Sequence, residues 1–83
     1  MAELIPSKAE EFDLTGLICP LPVLKIRKRL ISMKPGEILT VVASDPATQI
    51  DVPHFCAEAG HSLVDQSAGE GVFRYSIRRG EGL

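Results

Sequence analysis

The sequence predicts an α/β (α+β) two-layer sandwich with the element order βαβαββ, a mixed four-stranded sheet and two helices on one face. Three observations predict it: two segments with helical apolar spacing, β-branched or alternating apolar runs around them, and a glycine-rich turn between the last two runs. Helices between strands imply parallel pairing, and the final hairpin adds an antiparallel pair. The pattern leaves the strand order open.

The first two elements flank a cysteine and two prolines. Alternation over residues 12–14 predicts a short strand that ends at Thr15-Gly16. From Pro20 to Met33 the apolar spacing becomes helical, with the stripe Val23, Ile26, Leu30 and Met33. Pro20 and Pro22 both suit a first helical turn, because the N–H groups of that turn have no partner within the helix.

The second half of the chain contains the other four elements. Residues 38–43 form a continuous β-branched run, which predicts a strand buried on both faces. A second helical region opens at Asp45-Pro46 and ends at Gly60, and its apolar stripe is Val52, Phe55, Cys56 and Ala59. Pro53 implies either a helix that starts near Asp51 or a kink. A short strand over 63–66, a hairpin loop over 68–71 and a last strand from Val72 follow.

Length and charge limit the functions that this chain can have. Eighty-three residues predict one domain over 1–83, with flexible ends at 1–10 and 80–83. The net charge of −2 argues against a nucleic-acid surface. Neither an apolar signal-peptide core nor a run of ~20 apolar residues occurs, so we expect a cytoplasmic monomer without membrane contact. The basic runs at 25–29 and 74–79 are interpreted as a solvated helix face and strand end.

Cys19 is the residue on which a chemical function can rest. It follows the first strand and lies at or beside the N-cap of the first helix, where a thiolate faces the positive end of the helix dipole. Pro20 and Pro22 remove two N–H donors from that turn and leave Leu21 as the main one. We therefore expect the pKa of the Cys19 thiol to lie below its usual value of about 8.5, which suits exchange at sulfur.

Other polar residues of the chain are weaker candidates for chemistry. Cys56 lies on an apolar stripe and is interpreted as a buried small residue, with a resolving thiol as the alternative. The spacing of His54, Cys56 and His61 fits no standard zinc site, so we predict no metal and no cofactor. Asp45 and Asp51 are interpreted as helix caps rather than acid–base groups.

The residues around Cys19 form a specific motif, Gly16-Leu17-Ile18-Cys19-Pro20-Leu21-Pro22. It resembles the Cys-Pro-x-Pro signature of the TusA/SirA sulfur-carrier family, and similar segments recur from about Phe12 to Arg79. The resemblance implies a βαβαββ sandwich and a persulfide carrier. In that role Cys19 takes sulfane sulfur from a donor such as a cysteine desulfurase or a rhodanese. It then passes the sulfur to an acceptor protein, as in tRNA 2-thiouridine synthesis.

Several choices stay open beside that resemblance. Ile18 and Leu21 stand where several relatives carry a basic and an acidic residue, so the donor, the acceptor and the pathway are not fixed. A monothiol oxidoreductase is one alternative, because Cys19-Pro20 and Val52-Pro53 distantly resemble glutaredoxin. Pro22 at the position of the resolving cysteine counts against it. A non-catalytic adaptor or regulator is another, and for it Cys19→Ser would be silent.

One side of the first helix is predicted to receive partner proteins. Leu24, Arg27 and Ile31, which we call the docking strip, lie on the shoulder of the apolar stripe and on the same side as Pro20. An arginine between aliphatic residues is typical of interface hot spots. We expect a sulfur donor to bind this strip. The alternative is that Arg27 simply extends from the edge of the core into solvent.

Overall fold

The computed structural model describes residues 11–81, so most of the predicted flexible ends, residues 1–10 and 82–83, lie outside the described residues. The elements follow the predicted order: β1 Phe12–Leu14, α1 Leu21–Ile31, β2 Ile38–Ala43, α2 Thr48–Ala59, β3 Ser62–Gly69 and β4 Val72–Arg78. The strands form one sheet with the order β1-β2-β4-β3. β1 is parallel to β2, and β4 is antiparallel to both β2 and β3. The predicted α/β sandwich with a mixed sheet is confirmed.

The hydrophobic core lies between the two helices and one face of the sheet. On that face Leu39 lies opposite Ile77 and Val41 lies opposite Tyr75. The helices contribute Ile26, Leu30, Val52 and Cys56 to the same cluster. Ile38, at the start of β2, is 56% exposed because both helices cover the other face. The prediction that β2 is buried on both faces is therefore wrong at its start.

The bounds of both helices differ from those that the sequence predicts. Pro20 is the N-cap of α1 rather than part of its first turn, and the helix ends before Met33. α2 begins at Thr48, so Asp51 lies within its first turn and Pro53 lies inside the helix. Of the two alternatives that Pro53 left open, a helix start near Asp51 is wrong, and the helix continues through Pro53. As expected, Gly60 ends α2 in the left-handed conformation, with φ of 84°.

The β3–β4 hairpin has a shorter loop than the sequence predicts. β3 extends to Gly69, and Glu70-Gly71 alone makes the turn, with φ of 54° and 77°. A two-residue turn with positive φ at both positions matches the right-handed twist of paired strands. Small residues near the end of β3 favour a loop, but the pairing of Ala68 with Phe73 in the ladder overrides that preference.

The segment after β4 is packed against the ends of both helices. Arg79 is buried, and its Nε donates a hydrogen bond to the Leu30 carbonyl at 2.7 Å. The Gly80 N–H donates to Nδ1 of His61 at 2.9 Å, and a Cβ at Gly80 would overlap the Gly60 carbonyl. Arg79 is therefore not part of a solvated strand end. No helix among residues 11–81 is long and apolar enough to cross a membrane.

Candidate functional site

Cys19 lies on the exposed loop between β1 and α1. Because β1 and β2 are parallel, the loops that follow them meet at the same end of the sheet. The Gly16 N–H donates a hydrogen bond to Oγ of Ser44 at 2.8 Å, and the Cys19 N–H donates to Oδ2 of Asp45 at 2.7 Å. Two side chains from the loop after β2 therefore hold the backbone of the cysteine loop.

Asp45 also organises the turn that leads into α2. Its Oδ1 accepts a hydrogen bond from the Ala47 N–H at 3.0 Å, and its carbonyl oxygen accepts one from the Thr48 N–H at 3.0 Å. This is the behaviour of an aspartate in an Asx turn. Ala47 is the N-cap of α2 and makes no side-chain capping bond. The interpretation of Asp45 and Asp51 as helix caps is therefore wrong: Asp45 precedes the cap and Asp51 follows it.

Carboxylates set the ionisation of the Cys19 thiol. A hydrogen bond to the Asp51 side chain is the largest cause that raises the pKa of Cys19 above its ordinary value. Partial desolvation and the negative charges of Asp51 and Asp45 act in the same direction. The expected lowering of this pKa by the helix dipole is wrong. The Leu21 N–H, the donor that we expected for the sulfur, instead bonds to the Ile18 carbonyl at 2.9 Å.

The two prolines of the motif have different environments. Pro20 is exposed, serves as the N-cap of α1, and is joined to Cys19 by a cis peptide bond. Pro22 is the second residue of α1, and its side chain is fully buried. Neither has an N–H to offer to the sulfur. Pro22 therefore attaches the start of α1 to the core while Cys19 stays outside it.

A family model described as sulfurtransferase TusA matches residues 10–79 of the chain. The chain belongs to the TusA sulfurtransferase family. Among solved structures, a SirA-like protein from Desulfitobacterium hafniense is similar, with a TM-score of 0.74 and 23% sequence identity. The match covers 86% of this chain and 97% of that one. The resemblance inferred from the Cys-Pro-x-Pro motif is confirmed, and with it the fold.

The docking strip of this TusA-family chain lies on the exposed side of α1. Leu24 is 52% and Ile31 is 59% exposed, and Arg27 is exposed as well. At its far end the strip borders a groove of about 500 Å³ between α1 and α2, lined by Arg27, Ile31, Phe55, Glu58, Ala59 and Arg79. The exposure is as expected, whereas the binding of a partner stays a prediction.

Cys56 and the two histidines form no joint site in this TusA-family fold. Cys56 is 2% exposed, and burial raises the pKa of its thiol to about 11, which makes it a core residue with an unreactive thiol. His54 lies on the surface, 3.4 Å from the Glu58 carboxylate, whereas His61 is buried against the Phe55 ring. Among residues 11–81 no three His, Cys, Asp or Glu side chains converge on a position for a metal ion.

Neither the contact of Asp45 with the Cys19 backbone nor the effect of Asp51 on the Cys19 thiol was predicted from the sequence. A signal for the first contact was present, since Asp45 follows β2 as Cys19 follows β1, and parallel neighbouring strands end side by side. The effect of Asp51 depends on its place in the first turn of α2. The start of that helix was left open by the sequence, because Pro53 suggested either a later start or a kink. The sequence contains no sign that Arg79 is buried, because a basic residue that follows a strand is usually exposed to solvent.

Proposed function

We propose that this chain is a persulfide sulfur carrier in a protein relay. Cys19 accepts sulfane sulfur from a cysteine desulfurase or a rhodanese-type donor and passes it to an acceptor protein. The observation that carries this proposal is the exposed thiol of Cys19 on a surface loop, in a chain of the TusA family. An exposed thiol on a short loop can enter the active site of another protein without a change in the fold.

The transfer balances without an external oxidant or reductant. The Cys19 thiolate attacks the terminal sulfur of a donor persulfide, R–S–SH, and a new S–S bond forms as the donor S–S bond breaks. The donor leaves as a thiolate and takes up the proton that Cys19 has released. The products are Cys19–S–SH and R–SH. A second exchange of the same kind moves the sulfur to the acceptor.

The donor is proposed to dock on the strip formed by Leu24, Arg27 and Ile31. The strip is connected to the cysteine turn, because the Leu24 N–H donates a hydrogen bond to the Pro20 carbonyl at 3.2 Å. It combines exposed aliphatic area with one guanidinium group, which is the composition of an interface hot spot. A donor that covers this strip brings its own persulfide close to Cys19.

The destination of the sulfur is a narrower part of the proposal. The family resemblance suggests tRNA 2-thiouridine synthesis, with a protein rather than the tRNA as the direct acceptor. We also propose that the carrier acts as a cytoplasmic monomer. The 2-thiouridine content of tRNA from cells that lack this chain tests the destination: an unchanged content would exclude this pathway. Light scattering of the purified protein tests the monomer.

Intact mass spectrometry tests the carrier function directly. The protein is incubated with a cysteine desulfurase and cysteine, and the wild type should gain one or more sulfur atoms that a reductant removes. Cys19→Ser should gain none, although its fold should persist because the residue is exposed. Cys56→Ser, the matched control, should still be loaded. Equal loading of Cys19→Ser and wild type would overturn the proposal, and glutathione-dependent reduction of a mixed disulfide would indicate an oxidoreductase instead.

A further inference from the structure

One carboxylate links the cysteine loop to the first turn of α2. Oδ2 of Asp45 accepts the Cys19 N–H at 2.7 Å, and Oδ1 accepts the Ala47 N–H at 3.0 Å. The Ala47 carbonyl in turn accepts the Asp51 N–H at 2.9 Å. Three consecutive hydrogen bonds therefore connect the backbone of Cys19 to the backbone of Asp51 through the Asp45 side chain.

The rest of the cysteine loop depends on the same neighbouring loop. Ser44, the residue before Asp45, accepts the Gly16 N–H through Oγ at 2.8 Å. Gly16 has φ of 87°, a conformation that residues with a Cβ rarely adopt, so the chain turns sharply there before it reaches Cys19. The Cys19 N–H donates its hydrogen bond to Asp45 across the two loops, and not to a residue of α1.

We propose that Asp45 is a positioning residue, whose carboxylate holds the backbone of Cys19 beside the first turn of α2, where Asp51 lies. The proposal rests on the assignment of Cys19 as the sulfur carrier. Asp51 favours the thiol over the thiolate, and only the thiolate is a good nucleophile. In the free protein this arrangement keeps Cys19 slow toward small electrophiles such as iodoacetamide.

A double-mutant cycle with the thiol pKa as its readout tests the positioning role. The pKa of Cys19 is measured from the pH dependence of alkylation by iodoacetamide in wild type, Asp45→Ala, Asp51→Asn and the double variant. All four proteins carry Cys56→Ser so that Cys19 alone reacts. Both single substitutions should lower the pKa. Asp45→Ala should lower it less in the Asp51→Asn background, because it then has no Asp51 contact to disrupt.

Additive shifts would overturn the proposal, since they would mean that Asp45 acts on the thiol through its charge alone. An unchanged pKa in Asp45→Ala would overturn it as well. If Asp45→Ala does not fold, Asp45→Asn replaces it: one amide oxygen keeps one of the two hydrogen bonds, and a smaller coupling to Asp51 is expected. Asp65→Ala is the charge control, because Asp65 is exposed on β3, at the opposite edge of the sheet, and should leave the pKa unchanged.

The result of the double-mutant cycle can be distinguished from the result of the sulfur-loading experiment. A coupled cycle in a protein that gains no sulfur from either a desulfurase or a rhodanese persulfide would keep the positioning role and reject the carrier function. Additive shifts in a protein that gains sulfur normally would reject the positioning role and keep the carrier function. Coupling also predicts that Asp45→Ala reacts faster with iodoacetamide at neutral pH than the wild type does, because more of its Cys19 is ionised.

Discussion

Cys19 and Cys56 have the same side chain but opposite environments. Cys19 is exposed on a loop and its backbone N–H donates to the Asp45 carboxylate, whereas Cys56 is 2% exposed and packs in the core through α2. The pKa of both thiols is raised, at Cys19 chiefly by Asp51 and at Cys56, to about 11, by burial alone. A bound partner or a substitution can change the first cause, but only opening of the fold can change the second. The surroundings of each cysteine therefore decide which thiol another molecule can reach.

The largest effect on stability is expected from Cys56→Ser. This substitution places a hydroxyl group in the core and should lower the free energy of unfolding by about 1–3 kcal/mol. Cys19→Ser should change it by less than about 0.5 kcal/mol, because Cys19 is exposed. Urea unfolding of both variants measures the difference. Equal costs for the two substitutions would contradict the contrast between an exposed and a buried cysteine.

The burial of Cys56 was predictable from sequence, whereas the ionisation of Cys19 was not. Apolar spacing within α2 is a local property, and it places Cys56 on the same stripe as Val52. The pKa of Cys19 depends on Asp45 and Asp51. Both aspartates follow β2 in the sequence, whereas Cys19 precedes it. Those contacts depend on the parallel pairing of β1 with β2 and on the start of α2. The strand order was unpredictable for the same reason, since β4 enters the sheet between β2 and β3 through long-range pairing.

The next effect concerns the surface beside Cys19. Arg27→Glu should weaken binding of the sulfur donor by more than ~1 kcal/mol, about fivefold in Kd, because it reverses the one charge in the docking strip. Lys28→Glu makes the same change of charge on the opposite side of α1 and should weaken binding less. Titration calorimetry with the donor measures both. The alkylation rate of Cys19 should stay near that of the wild type in each variant.

Equal losses of affinity in the two variants would show that the donor responds to the overall positive charge of α1. In that case the strip has no specific role. Leu24→Ala separates the explanations further, since it removes exposed apolar area and leaves every charge in place. A weaker complex with Leu24→Ala indicates direct contact, because diffuse electrostatic attraction does not depend on that side chain.

The smallest effect is expected around the end of α2, where the buried His61 follows Gly60. The backbone N–H of His61 donates a hydrogen bond to the Cys56 carbonyl at 2.9 Å. Nδ1 of its buried ring accepts a hydrogen bond from the Gly80 N–H. Burial lowers the pKa of His61, and the positive charge of Arg79 acts in the same direction. Between this lowered pKa and the usual ~6.5, the unfolded chain binds more protons than the folded protein. Stability should therefore rise with pH across that window and be lost as the pH falls through it.

Urea midpoints of wild type and His61→Gln, measured from about pH 5 to about pH 7.5, test this dependence. Carboxylates contribute to the rise as well, so the quantity of interest is the difference between the two slopes. The slope should be smaller in His61→Gln, since glutamine does not titrate, and should be retained in His54→Gln, the exposed histidine paired with Glu58. Parallel curves for wild type and His61→Gln would show that the packed end of α2 tolerates a charged ring.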